Sequence, residues 1–329
     1  MKYFSERFNK RFLKNAVKAV TFVLILAVLL CGFSQILMPK TNKDMRDKSA
    51  NGFLGEMPNS IDVLIVGDSE SYSSVIPLQM WHEHGITSYV CGTPSQTLDY
   101  SFDFLQRALE EQSPKFVVFE TNAIFRPFSV KSIILTNADK VFPIYRYHDR
   151  WKKLSLRDFS FNVNNDYVEN DKGYRIEIGV DAADSKNYMK PSAEKNTVRK
   201  KNRFYLNKIE ALCNEKDTEL IFMSMPSTRN WNSQKHNAVE EISKEMNIEF
   251  IDLNVMNKEV PIDWTKDTKD KGDHLNYSGA CKVTKYLGTF FAAKNVFEDH
   301  RQDESYNDWN KAYDTFITNY EKRMKAKRK

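Results

Sequence analysis

The chain has 329 residues, 41% hydrophobic and 13% aromatic, enough for a sizeable core in one large domain or two small ones; wholesale disorder is excluded. Glycine contributes only 11 residues, which excludes collagen-like and glycine-linker architectures. The 49 Lys and Arg against 44 Asp and Glu leave a net charge of +5, and Lys322, Arg323, Lys325, Lys327, Arg328 and Lys329 crowd the C-terminus. The remaining body is nearly neutral and lacks the basic face of a nucleic-acid-binding domain.

In chain order, the first predicted element is a membrane span. Ala19–Met38 (AVTFVLILAVLLCGFSQILM) has no charge, and its 20 residues can cross a hydrocarbon core of about 30 Å as a helix. Lys2, Arg7, Lys10, Arg11, Lys14 and Lys18 precede it against one acid, Glu6. The positive-inside rule therefore keeps residues 1–18 cytoplasmic and the rest outside. No small-x-small site follows cleanly, which favours a retained signal anchor over a cleaved signal peptide. A buried soluble helix would show a polar stripe. Cys31 lies inside the span, and Cys91, Cys213 and Cys281 form an odd set at no metal-ligand spacing. Free thiols are expected, not a disulfide framework.

Residues 39–58 are polar and read as a stalk. An α/β rhythm then begins. Strands are expected at Ile61–Gly67, Ser88–Gly92, Phe116–Glu120, Glu219–Ser224 and Glu249–Leu253. Helices are expected at Pro77–His84, Leu98–Glu111, Asn202–Lys216, Ala238–Met246 and Ser278–Ala293. This alternation implies a mainly parallel sheet covered on both faces, a three-layer α/β/α sandwich over residues 59–295. Residues 126–195 break the rhythm and read as an insertion beside the sheet. Residues 296–329 read as a charged helix ending in a solvated basic tail.

In doubly wound sheets, sites form at the carboxyl ends of the strands. Gly67-Asp68-Ser69 follows the first strand, Gly92 ends the second, and Glu120-Thr121-Asn122 follows the third. Asp270, Asp273 and His274 precede the last helix. A serine needs a base to become a nucleophile, and a histidine base needs an acid to orient it. Ser69 is thus a candidate nucleophile and His274 a candidate base, with Asp270 or Asp273 as the acid. The Ser69 and Gly92 backbone N–H groups and the Asn122 side chain are candidate oxyanion donors, with Gln96 competing for that role. Alone, Gly-Asp-Ser after a strand is as well explained by helix capping, and Glu120 by a satisfied buried carboxylate.

The order Ser, Gly, Asn, then Asp and His resembles the SGNH/GDSL hydrolase superfamily over roughly residues 60–295. Ile65–Pro77 (IVGDSESYSSVIP), Tyr147–Trp151 (YHDRW) and Gly272–Ala280 (GDHLNYSGA) look most like its membrane-anchored bacterial members that handle acyl groups on surface polymers. Those include the teichoic acid D-alanine transfer and alginate O-acetylation proteins. The resemblance implies an extracytoplasmic serine O-acyl esterase or acyltransferase acting on a cell-surface glycan or anionic wall polymer, with a multi-pass membrane O-acyltransferase as a partner. It implies no cofactor. The family's Asp-x-x-His spacing would put the acid at Lys271, so Asp270, with one inserted residue, is favoured and Asp273 stays open. Glu120-Thr121-Asn122 departs from the family's Gly-x-Asn-Asp. A non-catalytic polymer-binding protein and a lipase-like esterase are the alternatives.

Three further expectations concern the margins of the site. His148, Arg150 and Trp151 could line a sugar cleft or simply pack the insertion. Ser224, Pro226, Ser227 and Trp231 could border the cleft, with a turn the more natural role. The sequence has no His-Glu-x-x-His, zinc-spaced Cys pair or Gly-x-Gly-x-x-Gly, so no metal or nucleotide is expected.

Overall fold

The computed structural model describes residues 2–327, without side chains for residues 2–10, Ser132 and Asp139. Arg328 and Lys329 of the expected basic tail lie outside the described residues. The chain forms two compact units. One comprises Met1–Asp44 and Ser129–Asn165; the other comprises Met45–Phe128 and Asp166–Lys329.

The first unit is built on α1 (Lys2–Leu37). Its Arg11–Leu37 stretch is long and apolar enough to cross a membrane, with a mean hydropathy of 2.5 over its most apolar window.

The second unit opens with β1 (Val63–Gly67), α2 (Ser69–Ser74), α3 (Pro77–His84), β2 (Ser88–Gly92), α4 (Leu98–Glu111) and β3 (Phe116–Glu120). The chain then enters the first unit again for α5 (Val130–Val141) and α6 (Ile144–Tyr147). It returns for α7 (Lys200–Glu215), β4 (Glu219–Ser224), α8 (Ser233–Met246), β5 (Glu249–Asp252), α9 (Tyr277–Lys294) and α10 (Asn307–Lys327). The five strands are all parallel, in the order β2-β1-β3-β4-β5. The order reverses between β1 and β3, the topological switch point where ligand crevices open beyond the carboxyl ends.

Strand residues alternate between the two faces. Val63, Ile65, Val90, Phe116, Val118, Ile221 and Met223 share a buried cluster with Met80 of α3 and with Val283, Leu287 and Phe291 of α9. Leu64, Val66, Val117, Phe119, Leu220 and Phe222 point the other way and are also buried, on the side covered by α4 and α7. Burial on both faces explains the near-continuous apolar strands. The expected three-layer sandwich is therefore observed.

Two expected connections differ from the structure. Residues 39–58 are packed instead of forming a solvated stalk. Lys40 Nζ donates to the Gln35 carbonyl at 2.7 Å, Tyr89 Oη donates to the Ser49 carbonyl at 2.6 Å, and Glu56 pairs with buried Lys172 at 2.7 Å. Here Glu56 pairs with a lysine more than a hundred residues away in sequence. The 126–195 stretch also divides: Ser129–Asn165 folds with α1, and 166–195 folds with the sheet. In the sheet unit, Tyr174 and Ile176 join Trp309, Ala312 and Phe316 of α10 in a buried cluster with Leu78 and Trp81 of α3. Arg323 and Lys327 donate to the Ile176 and Ile178 carbonyls, so the end of α10 is held and not fully solvated.

Candidate active site

Ser69 is the first residue of α2, directly beyond the carboxyl end of β1, and is mostly buried. Asp68 caps the helix by accepting the Glu70 N–H at 3.2 Å, so the capping role expected of this block is present. The end of β2 lies close by: a Cβ on Gly92 would meet Ser71 Oγ at 2.5 Å and the Asp68 carbonyl at 3.2 Å. Only glycine lets β2 end this near the serine turn.

The histidine loop is built by its backbone. Lys271 (φ +60°) and Gly272 (φ +85°) are both left-handed, and a Cβ on Gly272 would meet Thr228 Oγ1 at 1.9 Å. This turn folds Asp270 back onto His274, with Oδ1 accepting the His274 backbone N–H and Oδ2 pairing with Nδ1, each at 2.6 Å. The one-residue insertion is thus absorbed by the turn. Asp273 stands 4.0 Å from Nδ1 and is instead engaged by the Asn230 side-chain amide. Ser227, expected as a turn residue, donates to the Gly272 and Asp273 carbonyls at 3.0 and 2.9 Å and so steadies this loop. Trp231 donates to Asp252 at 2.9 Å. His274 Nε2 is buried and, among the described residues, has no hydrogen-bond partner.

Between serine and histidine lies a knot of carboxylates. Ser69 Oγ donates to Glu70 Oε2 at 3.3 Å, not to His274. Oxygens of Asp68, Glu70 and Glu120 lie within 4.8 Å of one another, and so do ligand-type atoms of Glu70, Asp273 and His274. Either set is close enough to share a cation, but positive charge is already supplied. Arg126 pairs with Asp68 and reaches Glu70 at 3.8 Å, and Lys235 Nζ donates to Asn122 Oδ1 at 2.8 Å.

Burial pushes the Glu70 carboxyl up to about 9, helped by its hydrogen bond with Asp68 and the Asp68 charge. Burial likewise holds Glu120 well above its ordinary range. Burial pushes Asp68 upward too, but the hydrogen bond from Glu70 and the Arg126 charge outweigh it and leave Asp68 low. Burial thus favours the protonated forms of Glu70 and Glu120, while Asp68 is held in its charged form. Burial lowers the Lys235 ammonium.

The structure brings Ser69, Gly92, Asn122, Asp270, Asp273 and His274 to the carboxyl end of the sheet. Asn122 is not a free donor there: its Nδ2 donates to Asp68 Oδ2 at 3.1 Å and to Glu70 Oε1 at 3.5 Å. Gln96 is spent inside the unit, donating to the Cys91 carbonyl at 3.3 Å and Ser101 Oγ at 3.1 Å, which corrects its reading as an oxyanion donor. Arg150 is likewise committed within the first unit, to the Leu37 carbonyl at 2.8 Å and Asp158 at 2.6 Å. These bonds fit the packing reading of Arg150 in the insertion and not the sugar-cleft reading. His148 and Trp151, in the same unit, are exposed. Sequence reasoning missed Glu70, Arg126, Asn230 and Lys235. Their signal was positional: each follows the carboxyl end of β1, β3 or β4.

No family model matches the chain, and no curated protein matches it in sequence. Solved structures similar to it include the psychrotrophic esterase EstA from a Pseudoalteromonas species (9% identity, 71% of this chain and 98% of that one, TM-score 0.40). A GDSL-like lipase from Bacteroides thetaiotaomicron is similar at 11% identity over 70% of this chain and 88% of that one, TM-score 0.36. A lipase/acylhydrolase from Enterococcus faecalis is similar at 10% identity over 71% and 96%, TM-score 0.34.

Proposed function

We propose that the chain is a membrane-anchored serine O-acyl esterase or acyltransferase of the SGNH type. The observation that carries this reading is His274. Asp270 fixes its Nδ1, its Nε2 is buried and unpaired among the described residues, and a ring nitrogen lies within 4.8 Å of a carboxylate oxygen of Glu70, the residue after Ser69. A buried imidazole nitrogen without a partner is poised to take a proton.

In this reading Ser69 Oγ turns from Glu70 towards His274 Nε2 and attacks the acyl carbon of an ester. The serine proton passes to Nε2, and Asp270 stabilises the imidazolium. The carbonyl electrons move to an oxyanion met by the Ser69 and Gly92 N–H groups. The oxyanion collapses, the ester C–O bond breaks, and His274 returns the proton to the leaving oxygen. Water or a glycan hydroxyl, deprotonated by His274, then attacks the acyl carbon; the acyl–Oγ bond breaks and His274 returns the proton to Ser69 Oγ. Neutral Glu70 matters here, because a second carboxylate beside the oxyanion would oppose its charge.

The same reading makes α1 a membrane span, with the sheet unit on the extracytoplasmic side. It takes a cell-surface glycan or anionic wall polymer as acceptor, beside a multi-pass membrane O-acyltransferase. A second reading, a polymer-binding protein without catalysis, is favoured by the engagement of Ser69 with Glu70 and of Asn122 with two carboxylates. An alkyl fluorophosphonate separates the two. Catalysis predicts one covalent adduct, mapped to Ser69 and formed at least about a hundredfold more slowly in His274→Ala. Absence of an adduct, or labelling indifferent to His274, favours binding alone.

A further inference from the structure

In the first unit, large apolar side chains are left on the surface far beyond α1. Of the seventeen such exposed residues outside α1 among the described residues, eleven fall within Ser129–Asn165. Scattered single apolar residues are ordinary, but a concentration like this marks an interaction surface. The same segment carries seven Lys and Arg against three Asp.

The depth of this surface is fixed by hydrogen bonds to the last turn of α1. Gln35 Nε2 donates to the Ser160 carbonyl at 3.3 Å, and Phe159 and Phe161 flank Ser160 directly. Arg150 donates to the Leu37 carbonyl, and Trp151 is its neighbour. Consecutive Cα atoms are about 3.8 Å apart, so Phe159 and Phe161 lie close to the last turn of α1, and Trp151 lies within reach of the Arg150 side chain from it. They are exposed by 59%, 83% and 64% for Phe159, Phe161 and Trp151, and Leu156 by 93%. By contrast Ser34 and Leu37 of α1 are buried, while Phe33 and most of the apolar residues between Phe12 and Leu29 are exposed. The turns around residues 148–159 therefore collar α1 where its lipid-compatible surface ends.

We propose that this collar, centred on Trp151, Leu156, Phe159 and Phe161, sits in the membrane interface and binds the bilayer surface itself. The inference rests on the reading of α1 as a membrane span. Aromatic side chains concentrate at the boundary between headgroups and acyl chains, where an apolar ring meets water. Exposed Lys152, Lys153 and Arg157 interleave with them and suit anionic headgroups. Lys152 Nζ already lies 5.7 Å from the Trp151 ring centroid, a mixed aromatic and cationic face that fits lipid better than an apolar protein groove. The collar would fix the rotation and depth of α1, which a single uniformly apolar helix cannot do alone.

The test uses the full chain in vesicles of phosphatidylcholine and phosphatidylglycerol, with and without doxyl-labelled phosphatidylcholine. In a Cys31→Ser/Cys281→Ser background, an environment-sensitive fluorophore is placed at Leu156→Cys, Phe161→Cys or, as reference, Val23→Cys. Positions 156 and 161 are exposed, so substitution leaves packing intact. The proposal predicts blue-shifted emission at both collar positions, most of it lost with the doxyl lipid, as at Val23. Quenching at Val23 with polar, unquenched emission at 156 and 161 overturns the collar and leaves the span standing. Blue-shifted but unquenched emission there means that protein covers the patch, and also overturns it. No quenching at Val23 sinks the span reading itself.

Discussion

Two left-handed residues, Lys271 and Gly272, separate Asp270 from the histidine it holds, and they decide which of two nearby acids matters. An Asp adjacent to His274 cannot easily reach its ring, whereas one four residues back can once the loop reverses. Asp270→Asn is expected to lower ester turnover by about 10²–10⁴-fold, since it removes the group that fixes the tautomer and stabilises the imidazolium. Asp273→Asn is expected to change it by less than about tenfold. Steady-state kinetics of both variants check this ranking, and equal losses would refute it. Glu70 makes a separate prediction. Its folded pKa of about 9 exceeds the ordinary 4.5, so the folded state keeps a proton that the unfolded chain releases. Its contribution to stability is full below about pH 4.5 and is lost as pH rises through about 9, by up to about 1.4 kcal/mol per pH unit. Glu70→Gln should flatten this slope in denaturation of the detergent-solubilised chain, leaving the part due to Glu120. An unchanged slope would mean that Glu70 is ionised. The sequence showed Ser69, Asp270 and His274 through their positions after β1 and before α9. It did not show that Asn122 is committed to Asp68 and Glu70, because that depends on how the turns after β1 and β3 close on each other.

Elements with a strong apolar period were readable to the residue. The observed β2, α4, β3 and β4 have the boundaries expected from sequence. Capping moved others. α8 begins at Ser233 instead of Ala238, because the Asn232 side chain accepts the Lys235 N–H and starts the helix ahead of its apolar stripe. That extra turn matters, since it brings Lys235 to Asn122. The charged α10 hides a buried face of Trp309, Ala312 and Phe316. Trp309 packs on Trp81 with ring centroids 5.5 Å apart, and Lys172 lies 4.5 Å from its ring centroid. Trp309→Ala is expected to destabilise the sheet unit by about 3–5 kcal/mol. Chemical denaturation should show this, and a loss below about 1 kcal/mol would mean that α10 is only appended.

For the whole molecule, the order β2-β1-β3-β4-β5 gathers residues from 69 to 274 at one end of one sheet, and this follows from strand order more than from any motif. The division into units was not legible, because Ser129–Asn165 meets α1 across about a hundred residues of sequence that carry no sign of the pairing. The proposed function requires that Ser69 and His274 act as one catalytic pair. Its most direct measurement is hydrolysis of p-nitrophenyl acetate by the full chain in detergent, beside Ser69→Ala and His274→Ala. A catalytic pair gives turnover by the unaltered chain that falls to background in both variants. Equal rates in all three proteins, or no turnover by the unaltered chain, would contradict it.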